Sequence, residues 1–133
     1  MIGENVRIVS SARIYTTGCI CIGDNTWIGH DVLIIGGNAL VKIGANCDIA
    51  PRVAFITGTH KINPLEPHVA GEGYSLPIIV GNGSWIGAGA LMLGGATIGE
   101  RSIVAAGAVV KGVFSNSVLI GGTPAHIIKD RLN

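Results

Sequence analysis

Aliphatic residues recur every six positions along most of this chain, and this period constrains the fold more than any other feature. A helix of 3.6 residues per turn cannot hold a six-residue period on one stripe, whereas a strand, with its period of two, can. The most regular run is Val80, Ile86, Met92, Ile98, Val104 and Val110. Of the six residues that lie four places after the members of this run, five are small.

The same frame extends through the first half of the chain, with short slips in register. The repeat gives 15 hexads in all, and the first residue of each, which we call its head, is aliphatic or Phe. A hexad with one large apolar residue and one small residue is typical of a short strand followed by a corner. Three such units close a triangular coil of 18 residues. Five stacked coils predict an all-β prism about 25 Å tall, with strands paired in parallel and the aliphatic column as its core.

Composition narrows the class of protein. The chain has 133 residues, which predicts a single domain over 1–133. Charged residues make up 13% of the chain and apolar residues 48%. This composition argues against a disordered protein and against a solvated helical bundle. A formal charge of +1 offers no field for nucleic acid or anionic lipid. No apolar run is long enough for membrane insertion, and no signal-peptide core is evident, so we expect a cytoplasmic protein.

Three cysteines, an odd number without zinc spacing, fit this compartment. We interpret Cys19, Cys21 and Cys47 as small reduced core residues, with an intermolecular disulfide as the alternative.

Two segments break the six-residue rhythm. Residues 61–77 hold three prolines and two glycines and predict an excursion loop, and loops of this length are usually functional. Thr123 and Pro124 have the pattern of an N-cap followed by proline at the first helical position. A short C-terminal helix over 125–132 is therefore expected to close the last coil.

The hexads and several longer segments resemble the hexapeptide-repeat acyltransferases, and within them the galactoside and maltose O-acetyltransferases. The resemblance rests on residues 43–51, 56–60, 71–78, 80–87 and 121–125. It implies a left-handed parallel β-helix, although the general rule for parallel crossovers favours the right hand. It also implies acetyl-CoA as co-substrate, no required metal, and a homotrimer with clefts between subunits.

The resemblance assigns the chemistry to two residues beside the excursion. His60, in the segment Thr-Gly-Thr-His, matches the catalytic histidine, and an imidazole suits a general base near neutral pH. Glu72 matches a glutamate that lies near this histidine in the related enzymes, so we expect it to orient His60 and stabilise the imidazolium. The acceptor-binding asparagine of the sugar enzymes has no clean match. The nearest positions are His30 and Asp31, which are the candidates for hydrogen bonds to the acceptor hydroxyls, with an ordinary polar corner as the alternative.

Coenzyme binding follows from the same resemblance. Trp85, Ala88 and Ala106 match positions along the pantetheine arm, and main-chain amides at small residues allow the arm a close approach. Lys111 and Lys129 are the candidates for the nucleotide phosphates. His126 matches a position near these phosphates, and His68 is expected on the loop surface.

The sequence thus predicts an O-acetyltransferase that moves acetyl from acetyl-CoA to a hydroxyl of a sugar or glycan precursor. An acetyltransferase for another acceptor, such as an amino-sugar nucleotide amine, serine or an antibiotic hydroxyl, stays open, as does a non-catalytic β-helix scaffold. A γ-class carbonic anhydrase shares the prism but needs a His-x4-His zinc pair. The histidines at 30, 60, 68 and 126 contain no such pair.

Overall fold

Short strands that follow one another around a triangle make up the computed structural model, which describes residues 1–132. The strands are β1 (Arg7–Ile8), β2 (Arg13–Thr16), β3 (Ile20–Ile22), β4 (Trp27–Ile28), β5 (Leu33–Gly36), β6 (Val41–Ile43), β7 (Asp48–Ile49), β8 (Ala54–Ile56), β9 (Gly58–Ile62), β10 (Ala70–Ser75), β11 (Ile78–Val80), β12 (Trp85–Ile86), β13 (Leu91–Leu93), β14 (Thr97–Ile98), β15 (Ile103–Val104), β16 (Val109–Val110), β17 (Val113–Phe114), β18 (Leu119–Gly122) and β19 (Ala125–Lys129). Residues 1–132 include no helix that is long and apolar enough to cross a membrane.

Three parallel sheets form the faces of the prism. The first face has the order β17-β14-β11-β6-β3, the second β1-β4-β7-β12-β15-β18-β19, and the third β16-β13-β8-β5-β2. The chain visits them in turn, so each coil pairs with the coil before it and the coil after it. Every parallel pair aligns hexad heads, as in Ile28 with Ile49 and Ile49 with Ile86. The sequence prediction of stacked triangular coils is confirmed.

The aliphatic heads form the predicted central column. From Ile22 to Val110 each hexad head is at most 3% exposed. Burial of each such side chain contributes about 1.5–3 kcal/mol. The heads of the first coil, Ile2, Ile8 and Ile14, are 45–52% exposed because a coil covers them on one side only.

The small residue of each hexad also points inward, and several of these carry hydroxyls. Between the first and second faces, Thr26 Oγ1 donates to Gly44 O at 2.7 Å and accepts from Cys47 N at 3.1 Å. Ser84 Oγ similarly donates to Gly99 O at 2.9 Å and accepts from Ser102 N at 3.2 Å. These corner hydroxyls satisfy backbone groups that the turn leaves without strand partners.

The prism is longer than five coils. Phe114 pairs with Ile98 and Ile120 with Val104, so two sides of a sixth coil are present. The predicted frame misses Phe114 because it comes four residues after Val110, where the hexads place a small residue.

The C-terminal helix predicted over 125–132 is wrong. Residues Ala125–Lys129 form β19, which pairs antiparallel with β18, and Gly122 turns the chain with a φ of +97°. A helix of this length is marginal by itself, whereas β18 offers a free edge with unpaired backbone groups. The neighbouring Ile127 and Ile128 also favour a strand.

The cysteines divide by position. All three are free, and only Cys47 lies in the core, where burial raises the pKa of its thiol. Cys19 is exposed, so the interpretation of that residue as a core cysteine is wrong.

The column predicts a matched pair of variants. Ile49→Ala leaves a cavity between two coils and should lower the free energy of unfolding by about 2–5 kcal/mol. Ile8→Ala, at the same face but 45% exposed, should cost much less. Urea unfolding followed by circular dichroism measures both, and equal losses would contradict a column that is closed only from the second coil onward.

Candidate active site

An antiparallel hairpin places the candidate histidine outside the prism. The chain leaves the third face after β8, runs out along β9, returns along β10 and re-enters the prism at β11. The predicted loop over 61–77 is thus a hairpin that begins three residues earlier, at Gly58. His60 pairs with Gly73 and Thr59 with Tyr74 across it. The hairpin occupies the corner between the third and first faces, where an insertion does not interrupt any stacked strand.

The His60 imidazole is held in one orientation by the hairpin itself. Its Nδ1 lies 2.8 Å from the carbonyl oxygen of Gly71. A carbonyl oxygen only accepts, so Nδ1 donates and carries the ring proton of the neutral imidazole. The lone pair is then on Nε2, and the side chain is exposed. This arrangement leaves Nε2 free to accept a proton from another molecule.

Glu72 does not contact His60 in this structure. Its Oε2 accepts from Lys61 Nζ at 2.7 Å, and both side chains are mostly exposed, at 74% and 66%. It is the one ion pair within residues 1–132. Glu72 adjoins Gly73, the partner of His60, and successive strand residues point to opposite sides, which puts Glu72 on the Lys61 side of the hairpin. The Gly71 carbonyl therefore takes the orienting contact expected of Glu72.

Thr57 anchors the root of the hairpin. It is 1% exposed, its N–H donates to Ile35 O at 3.1 Å, and its carbonyl accepts from Leu76 N at 3.0 Å. Its Oγ1 is the one buried side-chain oxygen or nitrogen in the described part of the chain without a hydrogen-bond partner. Gly36 must be glycine here, because a Cβ would lie 1.8 Å from that oxygen. An unpaired hydroxyl costs about 1–3 kcal/mol, which the packing around it offsets.

A cleft of about 550 Å³ opens beside His60. Its walls are the end of β5 with the following turn, and the inner part of the hairpin. Its lining contains no Asp, Glu, Lys or Arg. Ser75 Oγ donates to Asn38 Oδ1 at 2.9 Å and ties the two walls together. The cleft is lined by Ile35, Gly36, Gly37, Asn38, Ile56, Gly58, Thr59, His60, Gly73, Tyr74 and Ser75.

Sequence reasoning missed Asn38 and Tyr74 as cleft residues. They are 36 positions apart and meet only because the coils stack. Tyr74 lies in one of the segments that carried the resemblance, which is the signal that marks it. Asn38 falls in the slip between the hexads of Ile34 and Ile43, and this irregularity is a weaker signal.

The other candidates lie away from His60 within one chain. His30 and Asp31, and further along the prism Ala88 and Ala106, are exposed at the corner between the second and third faces. The Gly107 N–H donates to Ala88 O at 2.9 Å, which stacks the two alanine turns directly. His60 is at the opposite edge of the third face. One chain therefore does not bring His60 together with the expected acceptor and coenzyme residues.

The candidate phosphate ligands and the tryptophan are also dispersed. Lys111 is exposed at the corner that carries the hairpin, and Lys129 is exposed on β19 of the second face. Trp85, 52% exposed, lines a cavity toward the first face that includes neither Ala88 nor Ala106. His126 is exposed on β19, and His68 is exposed near the tip of the hairpin. No group of three or more metal-ligating side chains occurs among residues 1–132.

The third face differs from the other two in its outward side chains. Two outward rows cross it, and only Arg13, on the first coil, is charged. The rows are Arg13, Leu33, Ala54, Leu91 and Val109, and Tyr15, Ile35, Ile56 and Leu93. The first face also carries one charge, but its Lys42 lies on the third coil, within the outward row rather than on the first coil. The second face carries Arg7, Asp48 and Lys129. A contiguous apolar face is a feature that interaction surfaces share.

Comparison with known proteins relates the chain to hexapeptide-repeat transferases. Residues 77–112 match the family model described as bacterial transferase hexapeptide (six repeats). Galactoside O-acetyltransferase of Escherichia coli is 32% identical over 129 residues, which are 97% of this chain and 63% of that protein. A Saccharomyces cerevisiae relative is 38% identical over 110 residues, which are 83% of this chain and 55% of that protein. The chain thus spans between half and two thirds of the length of these relatives.

A solved structure extends the match to the fold. A hexapeptide-repeat-containing acetyltransferase from Vibrio cholerae, complexed with acetyl coenzyme A, superposes with a TM-score of 0.82 at 30% identity. The match covers 98% of this chain and 70% of that one. The left-handed parallel β-helix expected from the resemblance is confirmed, without the C-terminal helix.

Proposed function

Because the chain belongs to the hexapeptide-repeat acetyltransferases, we propose that it transfers acetyl from acetyl-CoA to a hydroxyl of a sugar or glycan precursor. The observation that carries the proposal is the state of His60. Its Nδ1–H donates a hydrogen bond to Gly71 O at 2.8 Å, and Nε2 is left free beside a cleft of about 550 Å³. A scaffold without catalysis would have no need for a base held in this way.

The chemistry needs a base and a route for one proton. His60 Nε2 takes the proton of the acceptor hydroxyl as its oxygen attacks the thioester carbonyl. The imidazolium then carries both ring protons, and its Nδ1–H continues to donate to Gly71 O. When the carbon–sulfur bond breaks, His60 returns the Nε2 proton to the departing sulfur. One proton thus passes from the acceptor hydroxyl through His60 to the coenzyme thiol, and His60 returns to its neutral form.

The cleft supports a neutral sugar as acceptor. Its lining holds no lysine or arginine to pair with the phosphates of a nucleotide, and burying a phosphate without a partner is costly. Tyr74 provides an aromatic wall, and the hydroxyl and amide groups of Ser75 and Asn38 are in reach of ligand hydroxyls. This favours a sugar hydroxyl over the amine of an amino-sugar nucleotide.

Coenzyme binding is assigned to the corner between the second and third faces. Ala88 and Ala106 are small and exposed on successive coils, so their main chain is open to an extended arm. Lys129 would serve the phosphates from the same chain, and Lys111, at the hairpin corner, would do so from a neighbouring copy. Trp85 is left out, because it lines a different cavity. A reaction that consumes acetyl-CoA, in a chain with three free cysteines, fits the cytoplasm.

A homotrimer with the third faces around its axis completes the site. In that arrangement the hairpin edge of one copy meets the opposite edge of the next copy. His60 then faces the neighbour's copies of His30, Asp31, Ala88 and Ala106, which one chain holds at its far edge. The apolar outward rows of the third face become buried, which supplies the association energy. Glu72 is then free to exchange Lys61 for a contact across this seam.

Replacing the base tests the mechanism. His60→Ala should lower turnover of acetyl-CoA with a sugar acceptor by about 10²–10⁴-fold, the usual contribution of a general base, with little change in coenzyme binding. Free thiol release measures turnover, and calorimetry measures binding. His68→Ala, at the exposed hairpin tip, is the matched control and should keep full activity. Unchanged turnover in His60→Ala would remove this residue from the mechanism.

Charge on the third face tests the assembly. Leu91→Glu should dissociate the trimer and abolish turnover, because association would bury an unpaired carboxylate. Val113→Glu on the first face, where the side chain is 79% exposed, should leave both unchanged. Sedimentation velocity reports the oligomeric state, and a Leu91→Glu protein that sediments as a trimer would exclude the third face as the interface.

A further inference from the structure

Both tryptophans of the chain stand in one outward row on the second face. The strand register aligns Arg7, Trp27, Asp48, Trp85 and Ile103 on successive coils. Asp48 is exposed between the two indoles, which are two strands apart, about 10 Å at the usual strand spacing. Trp85 is half exposed, which is unusual for so large an apolar group unless something covers it.

A groove follows this row along the corner between the first and second faces. It consists of two cavities placed end to end. One, of about 630 Å³, is lined by Arg7, Trp27, Asp48, Asn5 and Asn25, among others. The next, of about 590 Å³, includes Trp85, Ile103, Asn46, Asn82 and Arg101. Each has a size suited to a small ligand.

A ladder of asparagine amides forms the other wall of the groove. Asn5 Nδ2 donates to Asn25 Oδ1, and Asn25 Nδ2 donates to Asn46 Oδ1, both at 3.3 Å. These bonds cross the boundary between the two cavities, since Asn25 lines one and Asn46 the other. All three residues have positive φ, which fixes them in the turns. The two cavities therefore share a continuous row of amides beside the aromatic row.

We infer that this groove binds a linear oligosaccharide, one sugar face against each indole and the hydroxyls toward Asp48 and the asparagine amides. An indole offers a flat apolar surface with a negative face that suits the C–H side of a sugar ring. A carboxylate and amides accept from and donate to neighbouring hydroxyls. The repeat of the wall along the coils fits a ligand that is itself a repeating chain.

Other occupants fit the groove less well. A second copy of this chain would bury Arg7, Asp48, Glu100 and Arg101, none of which has an ion-pair partner within residues 1–132. A nucleic acid would meet a carboxylate in the middle of the row on a chain of charge +1. The groove is also separate from His60, because the first face lies between the two corners. The inference therefore does not depend on the proposed acetyl transfer.

Tryptophan fluorescence reads this surface directly, because no other tryptophan contributes. The probes are maltohexaose, cellohexaose and hexa-N-acetylchitohexaose, added to the intact protein. At least one should change the emission saturably and protect it from acrylamide quenching. No change with any of the three at millimolar concentration overturns the inference, as does an emission already shielded from acrylamide in the free protein.

Variants locate the binding. Calorimetry with the active probe should show affinity about tenfold weaker for Trp85→Ala and for Trp27→Ala, and at least as much weaker for Asp48→Ala. Trp85→Phe, which preserves an aromatic face and the fold, should lose less than Trp85→Ala. Lys42→Ala, outward on the first face of the same coil as Asp48, should bind normally. Unchanged affinity in the tryptophan variants, or displacement of the probe by coenzyme A, overturns the inference.

Discussion

The contact between one coil and the next determines this structure. Each strand pairs with the strand one coil away, and each hexad head packs on the head above and below it. Backbone hydrogen bonds and the aliphatic column thus require the same register. A shift of one residue would turn every head outward, so the stacking is specified at each coil. Rows of outward side chains follow from it, because residues aligned in register also share a face.

This register decides where chemistry can be carried. A strand cannot take an insertion without losing its partners, whereas a corner can. The excursion leaves at such a corner, and its hairpin pairing fixes His60 by a backbone carbonyl rather than by a distant side chain. The apolar third face lies between the corner with His60 and the corner with Ala88 and Ala106. The trimer that we propose buries that face and brings the two corners of neighbouring copies together.

The sequence predicts the periodic part of the fold well, and the predictions weaken wherever a local signal competes with pairing. The heads from Val80 to Val110 could be identified because their spacing is regular. Phe114 could not, because two residues are missing from its hexad and it arrives where a small residue belongs. Thr123-Pro124 has a helix-start pattern, but the free edge of β18 takes the following residues. The segment around His60 marks this residue as a candidate in the sequence, whereas the pairing of Glu72 with Lys61 depends on which side of the hairpin each side chain takes.

The central claim is that the site is shared between copies, and complementation tests it most directly. His60→Ala lacks the base, and Ala106→Trp blocks the opposite edge with a bulky side chain, so each protein alone should be inactive. When the two are co-expressed and assemble together, a seam can join an intact His60 from one copy to an intact Ala106 edge from the other. The account predicts acetyl transfer by the mixed assembly far above that of either parent. A mixed assembly as inactive as its parents would show that each chain builds its site alone.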